Sequence, residues 1–183
     1  GTPPDGTRPR MQMFLWNLTT PNRDGDLDNG IIAHEYGHGI STRLVGGPAN
    51  SNCLNNAEQM GEGWSDYFGL MLTMVPGDTR TGERGIGTYV LGESVTGPGI
   101  RPAPYTTNMG ANGYTYADIN SVSIPHGVGF VWTTMLWEMT WDLIDAYGFD
   151  PDLYNGTGGN NIAMQLVIDG LKLTPCSPGF VDA

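Results

Sequence analysis

The sequence His34-Glu35-Tyr36-Gly37-His38 has the residue types and the spacing of a metal-binding helix. Residues four apart in an α-helix lie on the same face, so His34 and His38 are expected to point their imidazoles at a common place. Glu35 would flank that place. Two imidazoles beside a carboxylate suit hydrolysis by zinc, because the metal needs neutral nitrogen ligands and an open position for water, and a base must take that water's proton.

A third metal ligand is expected in the segment Gly61-Glu62-Gly63-Trp64-Ser65-Asp66. Glu62 and Asp66 are again four apart, and the helix predicted over residues 56–74 would place them on one face. We expect Glu62 to bind the metal and Asp66 to accept the N–H of His34, which would orient that ligand. Glu58 is the rival acid, but it lacks such a partner four residues later, where Glu62 itself stands.

The histidine pair also has a simpler interpretation, as two partly buried histidines on an ordinary helix. The added Glu62 and Asp66 favour the metal site, and the chain has only three histidines. The remaining one, His126, opens an apolar segment that predicts a helix to about residue 146. There it could donate a hydrogen bond to the oxyanion of a tetrahedral intermediate and act in catalysis with Glu35. The alternative is a surface histidine.

Residues 77–125 are rich in glycine, proline, threonine and tyrosine, with one strand-like stretch at 87–91. Such long, weakly regular segments are usually functional when they are ordered. Their side chains best placed to donate hydrogen bonds to a substrate are Arg101, Tyr105, Tyr114 and Tyr116.

Helices are predicted over residues 30–45, 56–74, 126–146 and 160–173, and a strand over 11–17. This strand could pair with an extended substrate backbone, or it could be an ordinary core strand. A chain of 183 residues is long enough for one domain with a sizeable core. The expected fold class is α+β, mostly helical.

The loop before the first helix carries Asp24, Asp26 and Asp28 at the spacing that opens an EF-hand. An EF-hand is rejected because the sixth position is Asn29 instead of glycine and the twelfth is Glu35. A different Ca²⁺ site stays open, beside the alternative that Asp28 or Asn29 caps the helix.

The net charge of −11, with a single lysine, argues against nucleic-acid or anionic-membrane partners. No stretch is long and apolar enough for a membrane span, and the first residues do not form a signal peptide. A disulfide between Cys53 and Cys176 would suit a secreted protein, and two free thiols are the alternative.

Several stretches together resemble the fungalysin family of secreted metalloendopeptidases: Arg-Met-Gln-Met (10–13), Asn-Arg-Asp-Gly-Asp-Leu (22–27), His-Glu-Tyr-Gly-His-Gly (34–39), Gly-Glu-Gly-Trp-Ser-Asp (61–66) and Pro-Cys-Ser-Pro-Gly-Phe-Val (175–181). The resemblance implies a thermolysin-like zincin core with one Zn²⁺ per chain, bound by His34, His38 and Glu62, and with Glu35 as base. It also implies protein or peptide substrates, extracellular export and an inhibitory propeptide in a longer precursor.

The sequence departs from this pattern in two ways. Family members have more catalytic domain before the region that matches residue 1, and usually a further helix after residue 183, so residues 1–183 are expected to be one catalytic subdomain of a longer precursor. Thermolysin relatives also carry a tyrosine between the second histidine and the glutamate, but residues 39–61 contain none. Its role would pass to Tyr105, Tyr114 or Tyr116, while Arg101 would hold the substrate carbonyl as an arginine does in thermolysin.

Two other classes of function stay open at this point. A zinc aminopeptidase would need an acidic site for the free amine of its substrate, and no motif for one is recognisable. A degenerate peptidase domain could instead bind zinc for structure or serve as an adhesion module.

Overall fold

The computed structural model describes residues 1–183, and helices dominate it. Its elements are strands β1 (Leu15–Trp16) and β2 (Arg23–Asp24) and helices α1 (Asn29–Leu44), α2 (Gly61–Leu72), α3 (Thr88–Leu91), α4 (His126–Tyr147) and α5 (Gly159–Leu173). Short 3-10 turns cover Gly25–Leu27 and Tyr116–Asp118. The two strands form an antiparallel sheet, and the expectation of a mostly helical fold is confirmed. No helix combines the length and the apolar character needed to cross a membrane.

The start and the end of α1 are fixed by side-chain chemistry. Asp28 caps the helix, because its Oδ1 accepts hydrogen bonds from the backbone N–H groups of Gly30 and Ile31 at 3.0 and 3.2 Å. Past the last turn, Gly46 adopts φ +69°, a left-handed conformation that favours glycine. A Cβ there would lie 2.3 Å from the sulfur of Cys53, so the chain can turn at this point only without a side chain.

Helix α2 is the centre of the fold. It packs against α1 and against α4, and α5 packs on α4. Residues 63–71 of α2 are all buried, which explains why its apolar residues are not confined to one face. The largest fully buried side chains of this core come mainly from α2 and α4: Tyr67, Phe68, Leu70, Met71, Phe130 and Trp137.

Glycines allow the helices to cross at very short distances beside the two sequence motifs. A Cβ on Gly37 of α1 would lie 2.7 Å from Cα of Ser65 in α2. A Cβ on Gly63 of α2 would lie 2.3 Å from the carbonyl oxygen of Gly129 in α4. A hydrogen bond also connects α4 to α2 at the second crossing, since the hydroxyl of Thr133 donates to the carbonyl of Gly63 at 2.6 Å. The backbones of three helices therefore meet where the histidine and glutamate motifs lie.

We expect Gly63→Ala to lower the free energy of unfolding by about 1–3 kcal/mol, because the methyl group meets backbone that cannot move aside. Gly170→Ala in α5 is the matched control, since a Cβ there meets nothing within 4 Å. It should raise stability by about 0.5–1 kcal/mol, as alanine usually does in a helix. Urea unfolding of both variants measures the difference, and equal stabilities would contradict the close crossing.

The predicted disulfide between Cys53 and Cys176 is present. It joins the loop before α2 to the segment after α5. Two hydrogen bonds reinforce this connection: Ser177 N–H donates to the Cys53 carbonyl at 2.8 Å, and Phe180 N–H donates to Glu58 Oε2 at 2.8 Å. The loop that leads to Glu62 is thus held by the end of the chain.

The strand predicted over residues 87–91 is wrong, because this stretch forms α3. Gly87 and Gly92 flank it with φ +74° and +73°, so the chain turns sharply on both sides and closes one helical turn. The strand predicted over residues 11–17 is also shorter than expected, since only Leu15 and Trp16 find a partner strand.

Candidate metal centre

Three candidate ligands converge where α1 crosses α2. His34 and His38 come from α1 and Glu62 from α2, and one ligand atom of each lies within 4.8 Å of the others. The two oxygens of Glu62 face one imidazole each, at 3.3 Å from Nε2 of His34 and 3.6 Å from Nε2 of His38. The close crossing at Gly37, between the two histidines, brings α2 near enough for this contact.

This donor set fits a zinc ion. Two imidazole nitrogens and one carboxylate are a common protein ligand set for catalytic zinc, and they leave the remaining position to water. Nδ1 of His34 is already taken by Asp66 at 2.6 Å, so its Nε2 is the nitrogen that faces the cluster. Such a carboxylate partner fixes the tautomer and the ring orientation of a metal-binding histidine.

Asp66 is fully buried and is held by further donors. Arg101 contacts both of its carboxylate oxygens, with Nε at 2.5 Å from Oδ2 and Nη2 at 2.9 Å from Oδ1, and Tyr105 donates its hydroxyl proton to Oδ2. Burial alone would raise the pKa of Asp66, but the charge of Arg101 and the hydrogen bond to His34 hold it well below its usual range. Asp66 is therefore an ionised acceptor.

The charges of the three candidate ligands are coupled. Burial opposes a charge on His34, but hydrogen bonds to Asp66 and Glu62 outweigh it and raise the pKa of His34 to about 9. Burial, with the nearby charge of His34, lowers the pKa of His38 to about 4. Burial also opposes ionisation of Glu62, but the hydrogen bond and charge of His34 lower its pKa to about 2. A cation that binds here must displace the proton of His34.

Glu35 lies on α1 between His34 and His38 in sequence. It is half-buried, and together with His38 it lines a groove of about 1140 Å³ between α1 and the first eleven residues. Arg43 and Asp5 also line this groove and form an ion pair at 3.1 Å. Glu35 and the candidate ligand His38 thus face the same groove.

His126 is the first residue of α4 and lies at the edge of the cluster. Its Nε2 is 3.6 Å from Oε1 of Glu62, while its side chain is 58% exposed. Gly129 of the same helix packs against Glu62, since a Cβ on Gly129 would lie 2.7 Å from the Cβ of Glu62. The structure therefore brings His126 to the candidate ligands from a distant part of the sequence.

The four residues that the sequence offered as hydrogen-bond donors to a substrate differ in exposure. The side chain of Arg101 is 2% exposed and also contacts Glu62 Oε2 at 3.3 Å, and Tyr105 is fully buried. Tyr114 is half-buried, with its ring 5.2 Å from that of Phe130. Tyr116 is 52% exposed. Substrate contact by these residues stays a prediction, while Arg101 and Tyr105 engage Asp66.

The contacts of Arg101 and Tyr105 with Asp66 were missed by sequence reasoning. No regular spacing links them to α2, because they reach it from the irregular segment. Glu58, the rival ligand, lies outside the cluster and accepts the N–H of Phe180 instead.

A calcium site in the acidic loop is not supported. Asp24 accepts the backbone N–H of Asp26 at 3.0 Å, and Asp28 caps α1. These carboxylates stabilise the turn and the helix start, and the three-residue cluster that could hold a metal is the one at His34, His38 and Glu62.

A helical H-E-x-x-H motif that is joined by a glutamate from a second helix defines a class of metallopeptidases. Comparison with known proteins narrows this class. The sequence model of the fungalysin metallopeptidase (M36) family matches residues 1–183. The chain belongs to the fungalysin family.

Named relatives agree with this family. Extracellular metalloproteinase 2 of Arthroderma gypseum is 48% identical over 190 residues, and the protein of the same name from Trichophyton rubrum is 48% identical over 192 residues. Extracellular metalloproteinase MEP of Neosartorya fischeri is 49% identical over 192 residues. Each alignment covers 100% of this chain but only 30% of the relative, so the chain spans less than a third of their length.

Proposed function

We propose that residues 1–183 form one catalytic subdomain of a secreted zinc metalloendopeptidase with a thermolysin-like core. The observation that carries the proposal is the convergence of His34, His38 and Glu62, with Asp66 on the outer nitrogen of His34. The close helix crossings support it, because they position the ligands through backbone contacts. Membership of the fungalysin family supports the reaction class.

Each residue of the site then has a separate task. His34, His38 and Glu62 would hold one zinc ion, which when bound supplies a Lewis acid and an acidified water. Glu35 takes a proton on its carboxylate as a peptide carbonyl is attacked, and it returns that proton to the leaving amine. His126 donates a hydrogen bond from its imidazole to the developing oxyanion. The groove beside Glu35 would receive the substrate chain.

The names of the relatives support the proposed substrates and the proposed export. The relatives are named extracellular metalloproteinases, which supports protein substrates outside the cell. The disulfide between Cys53 and Cys176 suits an oxidising compartment. Inhibition by a propeptide in a longer precursor is part of the same proposal, with the present chain as one portion of that precursor.

Casein hydrolysis tests the function. The purified chain should release internal fragments of casein only when zinc is present, and it should cleave a peptide with a blocked N-terminus as well as a free one. Cleavage that needs the free amine would indicate an aminopeptidase. If the longer protein also binds zinc without cleaving any substrate, the domain is a binding module and the proposal fails.

Replacing Asp66 with alanine should weaken zinc affinity by about 10- to 100-fold, because His34 loses the partner that fixes its tautomer. Asp169→Ala is the control, since Asp169 pairs with Lys172 at 3.0 Å on α5 and contacts none of the ligands. Competition with a fluorescent chelator measures both variants. Unchanged affinity in Asp66→Ala would contradict the role of this carboxylate.

A further inference from the structure

The carboxylate of Asp66 receives four hydrogen bonds. His34 Nδ1 and Arg101 Nη2 lie 2.6 and 2.9 Å from Oδ1. Arg101 Nε lies 2.5 Å from Oδ2, and the hydroxyl of Tyr105 donates to the same oxygen. An ionised carboxylate offers about four acceptor sites, so this buried group has no acceptor site left over.

We propose that Tyr105 is a positioning residue of the metal centre, whose phenol fixes the Asp66 carboxylate and thereby the ring of His34. The inference rests on the proposed function and goes one step beyond it. Tyr105, in the irregular segment 77–125, would then position a metal ligand. The sequence had instead suggested that this residue contacts the substrate.

Burial makes the phenol a dedicated donor. Tyr105 has no exposed surface, and its ring packs 5.1 Å from that of Phe130, which limits its rotation. Burial, together with the charge of Asp66, raises the pKa of Tyr105 well above its usual value, so the phenol keeps its proton at neutral pH. The phenol is buried against Asp66, and Thr133 is its other side-chain hydrogen-bond partner.

The backbone of Tyr105 is anchored to α2. Tyr105 N–H donates to the Arg84 carbonyl at 2.7 Å, and Arg84 N–H donates to the Tyr105 carbonyl at 3.0 Å. The guanidinium of Arg84 in turn donates to Oγ1 and to the carbonyl of Thr73, just after α2, at 2.8 and 3.2 Å. Arg84 therefore links the backbone of Tyr105 to the end of α2, the helix that carries Asp66.

Arg101 cannot replace this donor. Its Nε and Nη2 each already bond one oxygen of Asp66, and Nη2 also contacts Glu62. Without the phenol, Oδ2 keeps a vacant acceptor site inside the protein, which is unfavourable because no water reaches it. The carboxylate would then turn to share its remaining donors, and its bond to His34 would lose its alignment.

The test compares Tyr105→Phe with Tyr67→Phe. Both remove one hydroxyl from a fully buried tyrosine, but the hydroxyl of Tyr67 bonds only Thr140, at 3.2 Å. Competition with a fluorescent chelator should show zinc affinity about tenfold lower in Tyr105→Phe and unchanged in Tyr67→Phe. Nitrogen-detected NMR of the zinc-loaded protein should show a weakened Nδ1–H signal of His34 in the first variant alone.

A double-mutant cycle with Asp66→Ala gives a second measurement. If Tyr105 acts through Asp66, then Tyr105→Phe adds nothing to the affinity loss of Asp66→Ala. If the affinity losses of the two substitutions are additive, the inference is wrong. It is also wrong if Tyr105→Phe keeps the wild-type zinc affinity and the wild-type NMR signal. Neither result contradicts the zinc site itself. Failure of the wild-type chain to bind zinc overturns both the proposed function and this inference.

Discussion

Replacing Glu35 with glutamine should nearly abolish peptide-bond cleavage and leave zinc binding unchanged. The amide has almost the same shape as the carboxylate but cannot accept a proton, and general base catalysis contributes about 10²- to 10⁴-fold to a rate. Glu35 contributes no ligand atom to the cluster of His34, His38 and Glu62, so the metal affinity should not change. The measurements are kcat/KM on a quenched peptide and zinc content after dialysis.

Glu58→Gln is the matched control for this experiment. Glu58 is half-buried like Glu35, but it accepts the backbone N–H of Phe180 and lies away from the groove. Its replacement should leave turnover near the wild-type level. A Glu35→Gln variant that keeps most of its activity with zinc bound would remove Glu35 from the proposed chemistry.

Replacing Glu62 with alanine should cost more zinc affinity than any change at Asp66. Loss of a partner of a ligand typically weakens metal binding by about 10- to 100-fold, and loss of the ligand itself should exceed that range. The change removes the carboxylate that faces both imidazoles and also leaves Arg101 without one of its acceptors. Chelator competition gives the affinity, and loss of casein hydrolysis should accompany it.

Glu58→Ala distinguishes the two acids that the sequence offers as third ligand. If Glu62 is the ligand, Glu58→Ala loosens the chain end near Phe180 but keeps zinc. The reverse result, with zinc lost in Glu58→Ala and kept in Glu62→Ala, would show that the assignment of the third ligand is wrong.

Helical periodicity explains why the candidate metal ligands could be predicted from the sequence. The positions of His34 and His38, and of Glu62 and Asp66, follow from a spacing of four once two helices are assumed, and the structure brings these groups together. The limits of α1 were predictable to within a residue, since Asp28 and Gly46 are local signals. Local spacing was therefore sufficient to predict the three candidate ligands and the carboxylate beside His34.

Nonlocal contacts account for what the sequence did not reveal. Arg101 and Tyr105 lie 35 and 39 residues after Asp66, in a segment without periodicity. The backbone of Tyr105 is held there by pairing with Arg84, and no local pattern encodes that pairing. The 87–91 stretch was misassigned for a related reason, since its aromatic and β-branched residues favour a strand but its flanking glycines leave room for only one turn.

The disulfide has a practical consequence for producing this protein in a host cell. Cys53 and Cys176 are separated by 123 residues, and a crosslink over a loop of about this length stabilises a fold by roughly 4–5 kcal/mol in the chain-entropy model. In a reducing cytosol, hydrogen bonds alone would join the C-terminal segment to the loop that leads to Glu62. Expression into the endoplasmic reticulum or a bacterial periplasm is therefore the appropriate choice, because chains made in the cytosol would lack this crosslink.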